Sequence, residues 1–553
     1  MKIFSSINDQ FVKIGLTKKN MLHYRWSILL FTFLLSVFVF SLSQHINLFF
    51  SLLNILFIFF VLILVAKIKI KLLRVFFHSL VVVLLSLNLT FSIAFSVPLS
   101  LGNLASILET NFSEIIAFDW RIYLLGGLCL LVTTILSQKS IYELKSKFSG
   151  GRVGVSLLAL VVFVNIFAVL IPVWRNSDFF KGYRKDLQEM PVQSIYAFSS
   201  LRLPLLYGDV FGLAVYSIEK MDSHRFKNRE KNLPEGVFFS EEKKSISKIY
   251  LVIGESAWRE KMSLYGNSIP TTPFLNSLKR IDSSAISYYK AISIANMTRD
   301  AVRFSLSFAN PRNRDAFWSE KNVVEMAKSA GYGTSWLSNQ GQAGIYDNYP
   351  SYIARSSDQV YFEKSLVKDD LDLLTELERS VNNEEKQFVA LHLMGSHFPY
   401  SDRYDEVDRA YLSTFPLATA YEMSIHHTDQ LLKRLYDYTI NMDTNSIIVY
   451  YSDHGASPER GIHGLKGFHA SEYEIPLLIF KNNVEVDIDS IISQYLSVND
   501  DQYVNSSNLI YILSEIMGYD ISSEVKSSAV SRSNEIMLVD GSLVDYESLK
   551  DEK

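Results

Sequence analysis

Hydrophobic positions are unevenly distributed along the chain. Nearly all long uncharged runs lie before Trp174, whereas from Arg175 to Lys553 short apolar runs alternate with charges and turn residues, as in a globular domain. Five segments of the first part have the length and composition of membrane-spanning helices: Trp26 to Leu42, Ile46 to Val65, Val75 to Val97, Ile122 to Leu136 and Val153 to Val173. The fourth is the shortest. Lys18, Lys19 and Arg25 precede the first span, Lys67, Lys69, Lys71 and Arg74 separate the second and third, and Lys139, Lys145, Lys147 and Arg152 separate the fourth and fifth. The alternate connections, Ser43 to His45 and Pro98 to Asp119, hold no Lys or Arg. This asymmetry predicts a cytoplasmic N-terminus, and an odd number of spans then puts everything after Val173 across the membrane. Four further spans follow the first, so it is expected as an uncleaved anchor rather than a signal peptide.

The expected organisation is a transmembrane domain over residues 1–174, a linker with interfacial helices over 175–247, and an exported globular domain over 248–553. In the last part, short apolar runs alternate with helix-like stretches: Ile249 to Ile253, Tyr332 to Leu337, Phe388 to Leu393, Ile447 to Tyr451 and Pro476 to Phe480. That alternation predicts an α/β domain with a mostly parallel sheet covered by helices on both faces.

Composition agrees with two solvents in one chain. Hydrophobic residues make up 48% of the 553, and mean hydropathy is +0.12, high for a soluble protein of this length. The single cysteine, Cys129, falls in the fourth span, so the exported part has no disulfide and depends on its core. With 54 basic and 58 acidic residues and a net charge of −4, nothing points to a nucleic-acid partner.

In open parallel sheets, ligands collect beyond the carboxyl ends of the strands. The first run of the exported part ends in Gly254, Glu255 and Ser256; the third leads through His392 to His397 in "HLMGSHFP"; the fourth leads into "SDHG", with Asp453 and His454, and then His463 in "GIHG". Two carboxylates and imidazoles on one sheet edge, with no thiolate, suit zinc or manganese and can leave a coordination position open. The alternatives are plain ones: Asp453 and Gly455 as turn residues, His392 as a packed core side chain, and His426 and His427 as solvent-facing positions of the helical stretch "AYEMSIHHTDQLLKRL". Ser256 is expected to cap a helix over "AWREKMSLYG" rather than act as a nucleophile, because G-E-S-A-W lacks the G-x-S-x-G elbow.

The stretch "VIGESAWREKMSLYGNSIPTTPFL" resembles the opening block of the membrane-bound phosphoethanolamine transferases of the alkaline phosphatase and sulfatase superfamily. Glu255, Arg259, Ser263, Gly266, Thr271, Thr272 and Pro273 match its pattern, and "NMTRDAV", "GYGTSWLSNQ", "LHLMGSHFPY", "YEMSIHHTDQLL" and "YYSDHGASPERGIHG" follow in the family's order. The resemblance implies an alkaline-phosphatase-like α/β fold behind five spans in a bacterial inner membrane, with the catalytic domain in the periplasm. It implies Thr298 as nucleophile and Glu255, Thr298, Asp453 and His454 as zinc ligands. It also implies His397 and His463 as groups that bind phosphate or a second zinc, or that serve as acid to the leaving group. Arg299 beside the nucleophile becomes a candidate phosphate contact or an exposed ion pair.

The segment "SILETNFSE" resembles the family's donor-lipid loop, with Thr110 and Glu114 at i,i+4 spacing and Ser106 where the family has Asn. The donor implied is phosphatidylethanolamine. The missing disulfides, and "WLSNQGQAG" without the Ser and Lys of lipid A-modifying members, turn the expected acceptor toward the lipopolysaccharide core or another envelope glycan. The alternatives are a glycerophosphate transferase of the lipoteichoic acid synthase type, a sulfatase- or phosphatase-like hydrolase, and a membrane-tethered sensor with a degenerate site. "TRDAVR" lacks the C/S-x-P-x-R that a formylglycine sulfatase requires.

Overall fold

The computed structural model describes residues 25–43, 46–96, 98–109, 120–147, 196, 199–200, 202–226, 231–340, 349–363, 369–380, 385–442, 445–458, 469–499, 501–539 and 541–550. The chain divides into two compact units, one of residues 1–104 with 119–217 and one of residues 105–118 with 218–553.

The first unit is helical: α1 (Arg25–Ser41), α2 (Leu48–Lys67), α3 (Lys71–Phe95) and α4 (Trp120–Lys147). Among the described residues, α2, α3 and α4 are long and apolar enough to cross a membrane, and α1 is an apolar helix of 17 residues. The fourth expected span grows from its short apolar run into a 28-residue helix, because the residues after Leu136 continue the helix with charge. The fifth expected span, Val153 to Val173, lies outside the described residues. Part of the stretch expected as a linker belongs to this bundle instead: Leu205 and Leu206 are buried in its apolar core. The backbone breaks from helical geometry there, and polar side chains of α2 and α3 compensate. Asn54 Nδ2 donates to Leu205 O at 2.8 Å, Leu205 N–H donates to Asn54 Oδ1 at 3.0 Å, and Asn88 Nδ2 donates to Pro204 O at 3.3 Å. Irregular backbone among apolar helices is stable only when its polar groups are satisfied in this way.

The second unit is built on an eight-stranded sheet. Its strands are β1 (Lys248–Gly254), β2 (Ile286–Ile292), β3 (Gly333–Ser338), β4 (Gln359–Phe362), β5 (Gln387–His392), β6 (Ser446–Ser452), β7 (Glu474–Asn482) and β8 (Val504–Asn505), in the order β4-β3-β5-β1-β6-β7-β2-β8. Only β7 runs antiparallel to its neighbours. The five apolar runs of the sequence are all strands. β2, β4 and β8 were not foreseen, since "ISYYKAI" is half-buried with an exposed Lys290 and the other two are short strands at the sheet edges.

β1 lies between two parallel partners, so every one of its residues is buried. The period-2 alternation sends Ile249, Leu251 and Ile253 into one apolar layer and Tyr250 and Val252 into the other. The first layer is completed by α6 (Thr298–Ser305), α7 (Val323–Ser329) and, later in the chain, the helix Leu509–Ile516. The second is completed by α5 (Pro273–Ile281), α8 (Asp372–Ser380) and α9 (Ala420–Asn441). Each buried Leu or Ile contributes about 1.5–3 kcal/mol, which makes a disulfide-free domain feasible.

The parallel register brings three strand ends together. Ile253 stands opposite His392 on β5, and Gly254 stands opposite Ser452 on β6. The residues that follow, Glu255, Leu393 and Asp453, therefore leave the sheet side by side.

Candidate metal and phosphoryl-transfer site

Glu255 and Asp453 are 1% and 0% exposed, and both follow strands whose inward positions are wholly apolar. Asp453 N–H donates to Gly254 O at 3.0 Å, extending the β1–β6 ladder by one step and placing the two carboxylates on the same edge. His454 follows directly. Its Nδ1–H donates to Gly455 O at 2.7 Å, which turns Nε2 toward the carboxylates, 3.2 Å from Glu255 Oε1 and 3.6 Å from Asp453 Oδ2. Thr298, half-buried at the start of α6, donates its hydroxyl to Glu255 Oε2 at 2.9 Å. The structure thus brings Glu255, Thr298, Asp453 and His454 to one point, from three separate stretches of sequence.

This donor set fits a divalent ion. Glu255, Asp453 and His454 each offer an atom within 4.8 Å of the others. Two atoms bound to one zinc ion at about 2.0–2.1 Å in tetrahedral array lie about 3.3 Å apart, which matches the spacing of His454 and Glu255. Asp453 Oδ2 is buried and has no hydrogen-bond partner among the described residues, a costly state that a cation would relieve. The electrostatics point the same way. Burial, and then the charge of Glu255, push the Asp453 carboxyl up to about 8. Burial also opposes ionisation of Glu255, but the His454 imidazole outweighs it and holds that carboxyl well below its usual range. Burial disfavours charge on His454, yet Asp453 and Glu255 prevail and push it up to about 10. Two buried carboxylates this close do not both carry charge unaided: the His454 imidazole offsets Glu255, and Asp453 holds its proton to higher pH.

Other groups hold the carboxylates in place. Ser256 does not cap a helix: the residues after it form short 3₁₀ turns, Arg259–Lys261 and Ser263–Tyr265. Its own φ is +55°, and its hydroxyl donates to Glu255 Oε1 at 2.6 Å, while its N–H donates to Asp453 Oδ1 at 3.2 Å. The capping expectation failed because helix-like composition over "AWREKMSLYG" was overridden by tertiary contacts. Gln340 was not foreseen at all; its amide donates to Glu255 Oε2 at 2.8 Å and to Leu393 O at 3.0 Å. Its signal in the sequence was its place just after a strand, the same criterion that marked Glu255 and Asp453. Gly395, with φ +46°, passes so close to Glu255 that a Cβ there would lie 2.8 Å from its backbone N and O.

The remaining candidates divide. His397 is half-buried on the loop after β5, with Nδ1 against Phe398 O at 2.6 Å, and its charge acts on Glu255. The Arg299 guanidinium sits 4.7 Å from the ring centre of Tyr349, a cation–π contact. Thr110, Glu114 and His463 lie outside the described residues. His392 is a core side chain, packed edge-on against Trp336. His426 and His427 do not face solvent as expected but are 5% and 4% exposed, because Asp408 meets both across a helix pair that periodicity alone could not bring together.

A strand-end carboxylate pair, an imidazole and a hydroxyl meet at one edge of a mostly parallel sheet, and the comparisons with known proteins include this part of the chain. Residues 247–519 match the sulfatase family model. Phosphoethanolamine transferase OpgE of Escherichia coli K12 is 30% identical over 250 residues, covering 42% of this chain and 45% of that protein. Phosphoethanolamine transferase EptA of Helicobacter pylori is 25% identical over 432 residues, covering 73% of this chain and 76% of the relative. The integral membrane lipooligosaccharide phosphoethanolamine transferase A of Neisseria meningitidis shares the fold, with a TM-score of 0.57 and 18% identity over 84% of this chain and 88% of its own. The match to OpgE spans less than half of that protein's length. The resemblance read from the sequence is borne out: phosphoethanolamine transferases are among the proteins this chain is similar to.

Proposed function

We propose that the protein transfers phosphoethanolamine from phosphatidylethanolamine to an envelope glycolipid or glycan through a covalent intermediate on Thr298. The observation that carries this reading is the 2.9 Å contact between the Thr298 hydroxyl and Glu255, inside a donor set spaced for a metal ion. Glu255, Asp453, His454 and Thr298 would hold zinc, or manganese, since carboxylate, imidazole and hydroxyl suit both. The ion would supply Lewis acidity, lowering the threonine pKa and offsetting charge on the phosphoryl oxygens.

The chain's own residues account for the rest. Glu255 orients the Thr298 hydroxyl toward the open side of the site. The oxygen of Thr298 attacks phosphorus as its proton passes to Glu255, and the bond from phosphorus to the diacylglycerol oxygen breaks as that oxygen takes a proton, for which His397 and His463 are the candidate acids. Thr298 opens α6, so the first backbone N–H groups of that helix would lie beside a phosphoryl group bound to it. In the second half, a hydroxyl or phosphate oxygen of the acceptor displaces Thr298, and phosphoethanolamine moves on. Arg299, Thr110 and Glu114 are assigned to substrate binding on the resemblance that named them. A transmembrane domain that extends past residue 174 to include Leu205 and Leu206, a shorter linker and a periplasmic catalytic domain of 248–553 would keep this chemistry at the headgroups of the inner membrane. The apolar helices α2, α3 and α4 support membrane residence.

The deciding experiment incubates the purified full chain with phosphatidylethanolamine and no acceptor. One phosphoethanolamine adduct on the peptide containing Thr298 is expected. A glycerophosphate adduct from phosphatidylglycerol in its place would favour the lipoteichoic-acid-synthase-type reading, and free phosphoethanolamine with no adduct would favour a hydrolase.

A further inference from the structure

His427 sits between two carboxylates that belong to other elements. Its Nδ1 is 2.7 Å from Asp408 Oδ2, on the helix Glu406–Leu412, and its Nε2 is 2.9 Å from Asp369 Oδ1, in the turn before α8. Asp408 is 0% exposed and also meets His426 Nδ1 at 2.5 Å and Gln430 Nε2 at 2.7 Å. Asp405, His427 and Asp408 are close enough to suggest a second cation site. The spacing argues otherwise: 2.7 Å is a hydrogen bond, well short of the roughly 3.3 Å between two ligands of one zinc ion. Asp405 is moreover engaged as the helix N-cap, accepting from Val407 and Asp408 N–H.

The far side of this clasp leads to the proposed site in two short routes. Asp369 Oδ1 also accepts Leu371 N–H at 2.8 Å, which shapes the turn that presents Asp370. Asp370 then accepts Met394 N–H at 2.9 Å and Gly395 N–H at 2.7 Å, the loop that lies against Glu255 and carries His397. Along the second route, Asn339 Nδ2 donates to Asp369 O at 3.0 Å and to Asp370 Oδ1 at 2.8 Å, and its neighbour Gln340 donates to Glu255.

We propose that His427 is a positioning residue: by bridging Asp408 and Asp369 it fixes the Asp369–Asp370 turn, and through that turn the Met394–His397 loop and Gln340 against Glu255. Both ring nitrogens donate, so the bridge needs a doubly protonated imidazole. Burial opposes that charge, but Asp369 and Asp408 outweigh it and push His427 up to about 10. Leu or Gln at this position cannot donate to both carboxylates.

The test compares wild-type full chain in detergent with His427→Gln and with Asp369→Asn, which keeps the turn's shape but weakens the bridge. Hydrogen exchange is read on the peptide spanning Met394 to His397. Exchange there is expected to rise about tenfold in both variants while peptides of β1 and β6 stay unchanged. Unchanged exchange at Met394 and Gly395 in both variants, or loss of a bound metal equivalent from His427→Gln, overturns the proposal.

A second arm rests on the transferase reading: kcat should fall about tenfold with KM for the donor unchanged, as when a supporting hydrogen bond is lost. In a His397→Ala background, His427→Gln should add little further loss; fully additive losses overturn the coupling. Wild-type protein that transfers nothing would remove the transferase reading, while the exchange arm still decides the clasp.

Discussion

Thr298 donates its hydroxyl to Glu255 Oε2 at 2.9 Å, and the same oxygen accepts the Gln340 amide at 2.8 Å. The nucleophile candidate is thereby half-buried while its partner carboxylate is fully buried, an arrangement that fixes the attacking oxygen yet leaves it open to a substrate. It also makes the first prediction specific. Thr298→Ala should lose the covalent adduct and all transfer while keeping fold and most metal, since Glu255, Asp453 and His454 remain. Intact-protein mass spectrometry and metal analysis check this; full turnover in Thr298→Ala removes the mechanism.

Asp453→Ala takes away the carboxylate whose Oδ2 has no hydrogen-bond partner among the described residues. Purified wild-type protein should carry zinc or manganese in stoichiometric amount, and the variant should lose it, because an anionic ligand is gone from a site with few to spare. The measurement is metal content after dialysis against a weak chelator. Stoichiometric metal retained by Asp453→Ala would show that the donor set was misjudged.

Ser256 separates a backbone effect from a ligand effect. Ser256→Ala and Ser256→Gly both remove the donor to Glu255 Oε1, but only Gly accepts a φ of +55° without strain. Both variants should therefore bind metal more weakly, by about tenfold or more. Ser256→Gly should be at least as stable as Ser256→Ala in thermal unfolding. Unaltered metal affinity in both would confine Ser256 to a turn role.

The His427 bridge has a pH signature. Burial lowers its pKa, but the hydrogen bonds from Asp369 and Asp408 raise it from 6.5 to about 10 in the folded chain. A group raised on folding contributes stability that is complete below its unfolded value and fades as pH passes the folded one. Thermal unfolding of the wild type should therefore drop between about pH 6.5 and 10 relative to His427→Gln. Parallel Tm curves for the two proteins across that range would contradict it.

Topology is tested by reporter fusions after Arg152 and after Ser247, which should report opposite sides of the membrane. The same side for both would overturn the orientation inferred from Lys and Arg placement, and with it the proposed access to a periplasmic acceptor.

The sequence by itself determined the buried strands and what stands at their ends. A run such as Ile249 to Ile253 is wholly apolar because strands flank it on both sides and helices cover both faces, so β1, β3, β5, β6 and β7 announced themselves, and Glu255 and Asp453 with them. The apolar helices of the first part were legible for the same reason, since a run long enough to cross lipid has no other common use. Strand direction, the edge strands and every contact between distant stretches belonged to the tertiary structure alone. Periodicity does not distinguish the antiparallel β7 from its neighbours, and half-buried β2 carries no clean pattern. His427 lies on the flank of an amphipathic helix, where solvent and burial look alike until the Asp408 and Asp369 elements arrive. Ser256 shows the opposite case, a residue whose local preference for capping gave way because a buried carboxylate beside it needed a donor more.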